Sequence, residues 1–282
     1  RLCDTQCSYV LGLEYGVAAE EMRETFGRHL VRRTRELGHT VGTGFFGTGL
    51  LNQALTDLGY TEDGYRSLLQ TRYPSWLYPV TQGATTIWER WDSYTEEKGF
   101  GGQNAMNSFN HYSLGSVLSW MYHVVLGIRQ DPNCPGGQHF ILKPEIGPLE
   151  FARGSVSSPF GVIHAGWVKK GDEVVYRFAI PVNTSASLIL PGMDTQEYGS
   201  GSDEIRYHCE DQAISGMFLN MAFWNGQCGE CTELTEVLQN YSSVYFNAQG
   251  LQQKGWKNDG IFRRFYVGSG QRGLSGRGRL SG

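Results

Sequence analysis

The sequence predicts an α plus β multidomain chain: a helical part, then a small antiparallel β-sandwich. Three observations carry that expectation. Apolar residues recur at helical spacing up to about residue 130. A dense turn cluster, Asp131-Pro132-Asn133-Cys134-Pro135-Gly136-Gly137, then interrupts the chain. After it the apolar period becomes two.

The first helix is expected over 6–17. In the second, Met22, Phe26 and Leu30 repeat every four residues, with Glu20, Glu21 and Glu24 early and Arg32, Arg33 and Arg35 late. Those charges complement the helix dipole at both ends, and Gly38 closes the helix. Leu50, Leu51, Ala54, Leu55 and Leu58 form the next stripe, stopped by Gly59. Thr61 and Asp63 open a fourth helix carrying Tyr65, Leu68 and Leu69. Tyr73-Pro74 ends it, because a residue before proline avoids the helical region. Helices over 84–94 and 113–127 complete six, or three helical hairpins.

Beyond the turns, Ile163, Ala165 and Trp167 alternate with polar or small residues, and Val174, Tyr176, Phe178 and Ile180 do so after Gly171-Asp172. That is a β-hairpin. Ser187–Leu190 adds a strand. The expected division is a helical domain over 1–130, a sandwich over 138–208 and an unassigned tail over 210–282, its last fifteen or so residues disordered.

Composition narrows the function. The chain has 24 Lys and Arg against 28 Asp and Glu, a net charge of −4, which argues against a general nucleic-acid binder. Its apolar runs fall short of the ~18 residues a membrane span needs. Glycine reaches 38 of 282 residues and aromatics 13%, which suits tight turns around planar surfaces such as a sugar site, or an ordinary aromatic core. Six cysteines in this length are no disulfide scaffold. Arg1-Leu2-Cys3-Asp4 reads as an internal start, of a processed chain or a fragment.

The densest chemistry lies in Tyr73–Val80 and in Gly83-Ala84-Thr85-Thr86-Ile87-Trp88-Glu89-Arg90-Trp91-Asp92. Thr85 or Thr86 is expected to cap a helix with Glu89 in its first turn. Glu89 is then either a carboxylate at an aromatic-lined cleft, taking a proton from water, or a glutamate serving the helix dipole. Asn107-Ser108-Phe109-Asn110-His111-Tyr112 offers donors and acceptors for sugar hydroxyls, against a structural role for His111. Thr43-Gly44-Phe45-Phe46-Gly47-Thr48 is a third loop, where glycine serves close backbone approach or simple packing. Cofactor and nucleophile motifs are missing: there is no Walker A loop, Gly-x-Ser-x-Gly or His-Glu-x-x-His. Cys228 and Cys231 form half of a zinc site without its other half, a weak signal that His208-Cys209 completes only on paper.

The string at 83–92 resembles the α-L-rhamnosidases of glycoside hydrolase family 78. Thr43–Gly49, Tyr73–Trp76 and Met106–Tyr112 resemble further segments of that family in the same order. The resemblance covers about 1–208. It implies part of an (α/α)6 toroid of six helical hairpins, followed by a β-sandwich. It implies hydrolysis of terminal α-L-rhamnosides with inversion by two carboxylates, without a cofactor. Carried over residue by residue, Glu89 is the general base and His111 contacts the sugar. Trp76 and Trp88 are candidates to line the pocket, with Asn110 beside them as a further sugar contact. The family's upstream acidic motif, which holds the general acid, has no match in 1–282. The expectation is therefore a C-terminal part of such an enzyme, carrying the base and three of six hairpins. Its partner would be a rhamnose-containing glycoside or polysaccharide. The alternatives are a non-catalytic rhamnose-binding remnant and, for the tail, a basic or metal-binding segment or a non-homologous end.

Overall fold

A computed structural model describes residues 3–100, 106–209 and 265–268. The helical layer comprises α1 (Gln6–Glu14), α2 (Glu20–Glu36), α3 (Gly44–Asp57) and α4 (Thr61–Leu68), the short α5 (Leu77–Thr81), and α6 (Tyr112–Gly115) with α7 (Val117–Trp120). A π-helical turn over Met121–Val125 continues α7. Thr5 caps α1 by accepting from Ser8 N–H, and Ser8 Oγ accepts from Thr5 N–H in return. Gly38 (φ 63°) and Gly59 (φ 83°) end α2 and α3 in the left-handed region, as the sequence predicts.

The α2–α4 contact is held by charge. Asp63, only 5% exposed, accepts from Arg35 Nε at 2.9 Å and Nη2 at 2.8 Å, and lies 2.9 Å from His39 Nε2. Burial works to raise the Asp63 pKa, but the bonds from His39 and Arg35 outweigh it and hold the carboxyl at about 2.

The expected helix over 84–94 does not form; that segment is irregular. Its apolar residues Ala84, Ile87 and Trp88 are still buried. Its backbone is paired with a distant loop instead of with itself: Glu89 N–H donates to Ser108 O at 2.8 Å, and His111 N–H donates to Ile87 O at 2.9 Å. Thr86, expected as a helix cap, donates its hydroxyl to Phe109 O.

The β part has two sheets. One is ordered β1-β2-β6-β7, with β1 (Ile128–Gln130), β2 (His139–Leu142), β6 (Ser185–Leu188) and β7 (Gln196–Tyr198). The other is β8-β5-β4-β3-β9, with β3 (Phe151–Ser158), β4 (Gly161–Lys170), β5 (Glu173–Ile180), β8 (Gly201–His208) and β9 (Phe265–Gly268). The expected hairpin is β4–β5, turning at Gly171 (φ 64°). Every residue of its two apolar series, Ile163 to Trp167 and Val174 to Ile180, is buried between the layers. The remaining tail, with Cys228 and Cys231, lies outside the described residues. His208 pairs with Asp172 at 3.3 Å on the surface.

The helical part and the sandwich are joined through the π-turn. Its last carbonyls have no helical partners and are taken by the β part. Val124 O accepts from Glu145 N–H (2.9 Å), Val125 O from Trp167 Nε1–H (2.7 Å) and Leu126 O from the Tyr176 hydroxyl (3.0 Å). Tyr65 of α4 donates its hydroxyl to Glu145 O at 2.6 Å.

Candidate active site

Two loops, 83–94 and 106–111, run side by side and present Glu89 and His111. Ser108 N–H donates to Glu89 Oε2 at 2.8 Å, which with the Glu89 N–H to Ser108 O bond makes a reciprocal pair. One carboxylate oxygen is therefore fixed by backbone. The other, Oε1, lies 3.9 Å from His111 Nε2, with the two side chains 11% and 22% exposed. That is too long for a direct hydrogen bond and within the span that one hydroxyl or water could bridge.

His111 is the N-cap of α6, its Nδ1 accepting from Ser113 N–H at 3.4 Å. A neutral ring so engaged carries its hydrogen on Nε2, toward Glu89. Two aromatic faces hold the imidazole: Phe45 stacks at 5.0 Å and Tyr112 at 5.1 Å between centroids. Phe45 comes from the start of α3, so the third loop singled out in the sequence does reach the site. Asn110 is exposed on the same loop, its backbone braced by Ser108 Oγ on both sides.

Trp76 and Trp88 do not line an open pocket. Trp76 is 1% exposed, its indole N–H donating to Leu114 O at 2.7 Å and its ring edge-on to Trp91. Trp88 is 5% exposed and packs edge-on to Phe109 and Tyr94. The void among Trp76, Val80, Ile87, Trp88 and Trp91 is about 10 Å³, room for a water and not for a sugar ring. These indoles are the floor that supports the loops. A roomier cleft of about 440 Å³ separates residues 115–123 from strands β1–β4, but its lining includes neither Glu89 nor His111.

Sequence reasoning missed Ser108 as the brace of Glu89, along with Phe45 and Tyr112 as the clamp on His111. Each acts through a backbone amide or a ring face, which residue type alone does not signal. Among the described residues, no group of three or more His, Cys, Asp or Glu side chains is arranged to hold a metal ion, and no helix is long and apolar enough to cross a membrane.

Helical hairpins that offer a braced carboxylate from their loops, backed by a β-sandwich, make the build of a six-hairpin glycosidase. Family comparison agrees: residues 3–125 match the bacterial α-L-rhamnosidase six-hairpin glycosidase domain, and residues 127–205 match the bacterial α-L-rhamnosidase C-terminal domain. The chain belongs to the α-L-rhamnosidase family. An α-L-rhamnosidase of Formosa agariphila is 36% identical over 66% of this chain and 20% of its own length. One from Streptomyces avermitilis is 38% identical over 67% of this chain and 18% of its own. Among solved structures, Streptomyces avermitilis α-L-rhamnosidase complexed with L-rhamnose aligns with a TM-score of 0.66 and 33% identity, covering 72% of this chain and 22% of that one. The Aspergillus terreus enzyme aligns with a TM-score of 0.67 and 34% identity, over 73% and 24%. The chain thus spans about a fifth of the length of the curated relatives it matches.

Proposed function

We propose that this chain carries the general-base half of an inverting α-L-rhamnosidase site. Residues 1–130 are read as the C-terminal half of the six-hairpin domain and 138–208 as the sandwich behind it. Glu89 accepts a proton from water at Oε1, while Ser108 N–H keeps Oε2 out of the reaction. His111 Nε2–H and the Asn110 amide hold sugar hydroxyls. The second carboxylate, which protonates the leaving oxygen, is assigned to a part of the family's catalytic domain outside these 282 residues. Inversion requires the two carboxyls ~6.5–9.5 Å apart, with the water between the base and the anomeric carbon, on the face opposite the leaving oxygen. The reading rests on one observation above all, the Glu89 carboxylate held at one oxygen and open toward His111 at the other.

The test separates binding from turnover. L-rhamnose titrated calorimetrically into the whole chain is expected to bind, and His111→Ala to weaken it at least about tenfold, the loss of one or more hydrogen bonds at ~1.4 kcal/mol per decade. An aryl α-L-rhamnoside is expected not to be hydrolysed by this chain alone. Turnover abolished by Glu89→Gln would locate the acid within 1–282 and overturn the division of labour. Binding untouched by Glu89→Ala, with no turnover in any longer form of the protein, would favour a rhamnose-binding module instead.

A further inference from the structure

Gln6 is 1% exposed on α1, and both ends of its side-chain amide are engaged. Oε1 accepts from Gly42 N–H at 2.7 Å. Nε2 donates to Thr34 Oγ1 and to Thr40 O, each at 3.2 Å. A buried amide with its hydrogen bonds made on three sides is costly to replace, because two of the partners it would abandon, Thr34 and Thr40, are themselves buried. The segment it grips leads straight to the site. Val41 N–H is pinned from the other side by Pro74 O at 2.8 Å. Thr43 then opens α3, its hydroxyl 2.8 Å from that of Thr48, and Gly44 turns at φ 61°. The next residue is Phe45, whose ring lies on the His111 imidazole. Two held amides therefore stand three and four residues before that ring.

We infer that Gln6 is a positioning residue: by fixing Gly42 it sets where Phe45 presses on His111, and so where the imidazole Nε2–H points beside Glu89. This rests on the proposed reading of Glu89 and His111 as the site, but the mechanics do not need turnover. Gln6 touches no reacting group. It acts through one backbone hydrogen bond and a stack. The shape of that effect is specific: a side chain at position 6 that still accepts from Gly42 N–H keeps the imidazole in place, and one that cannot accept lets it shift.

The test uses the whole chain and reads the His111 imidazole directly by NMR at fixed pH. Gln6→Met, of equal length and unable to accept from the amide, is expected to move the His111 Cε1–H and Nε2 resonances in the direction Phe45→Ala moves them. Gln6→Glu, its carboxyl kept protonated by burial so that it retains an acceptor for Gly42 N–H and a donor for Thr40 O, is expected to leave them near their original positions. Leu55→Ala serves as the control, since it loosens the same buried core at a position ten residues beyond Phe45 on α3 and leaves the Gln6 hydrogen bonds in place. Three outcomes would overturn the proposal: His111 unchanged in Gln6→Met, Gln6→Glu shifting as far as Gln6→Met, or Leu55→Ala shifting equally. Should Gln6→Met not fold, the comparison of Gln6→Glu with Phe45→Ala still decides, because a shift shared by both refutes the anchor. Failure of rhamnose binding would count against the site reading and leave this result standing.

Discussion

Replacing Asp63 with asparagine should remove one contribution to the acid sensitivity of the helical layer. Asp63 is buried where α4 meets the end of α2, bonded to Arg35 through both oxygens and to His39. Its folded pKa of about 2 lies below the ordinary 3.8. A carboxyl depressed in the folded state stabilises the fold above its unfolded pKa, and that stabilisation fades as pH falls through the folded value. The full difference corresponds to roughly 2.5 kcal/mol. Arg35 is 58% exposed, so solvent screens part of it, and about 1–2 kcal/mol is the better expectation. Thermal unfolding followed by circular dichroism from pH 7 to pH 2 tests this. Wild type should exceed Asp63→Asn by that amount at pH 7, with the gap narrowing between about pH 4 and pH 2. Other carboxyls with lowered pKa, Asp4, Glu36 and Glu204, are common to both proteins and cancel in the difference. Two parallel curves over the whole range would refute the argument, since the charge on Asp63 would then contribute nothing.

The junction between the two parts gives two more predictions. A Cβ at Gly127 (φ 79°) would sit 2.2 Å from Pro144 N and 2.3 Å from Lys143 C, so Gly127→Ala should cost about 3 kcal/mol from left-handed strain and backbone collision together. Chemical denaturation measures it, and a loss below about 1 kcal/mol would mean that this backbone crossing yields easily. Tyr176→Phe keeps the ring but leaves Leu126 O without its hydroxyl donor, for an expected loss of about 1–3 kcal/mol in the same assay. An unchanged midpoint there would show that another donor serves the π-turn.

The hydrophobic patterning was readable wherever backbone partners are close in sequence. α2, α3 and the β4–β5 hairpin bond to themselves or across one tight turn, so periodicity reports them directly. Elements with distant partners escaped. β2 pairs in parallel with β6 across more than forty residues, and β9 joins β3 from within the tail. Residues 84–91 show why burial can be legible where conformation is not. Ala84, Ile87, Trp88 and Trp91 fall at perfect helical spacing, and the first three are indeed buried. Spacing says which residues go inward, but it says nothing about which carbonyl each amide will find. Here Ser108 and Phe109 offer carbonyls to the 86–89 segment, while Ile87 receives the His111 amide. Those bonds replace an i→i+4 ladder. The same exchange makes the proposed site. In the first turn of a helix the Glu89 amide would face the helix entrance, whereas the paired loop ties it to Ser108 O, brings Ser108 N–H onto Oε2 and leaves Oε1 facing His111. The misplaced helix and the braced carboxylate thus have one physical cause, a loop pairing whose partners lie about twenty residues apart.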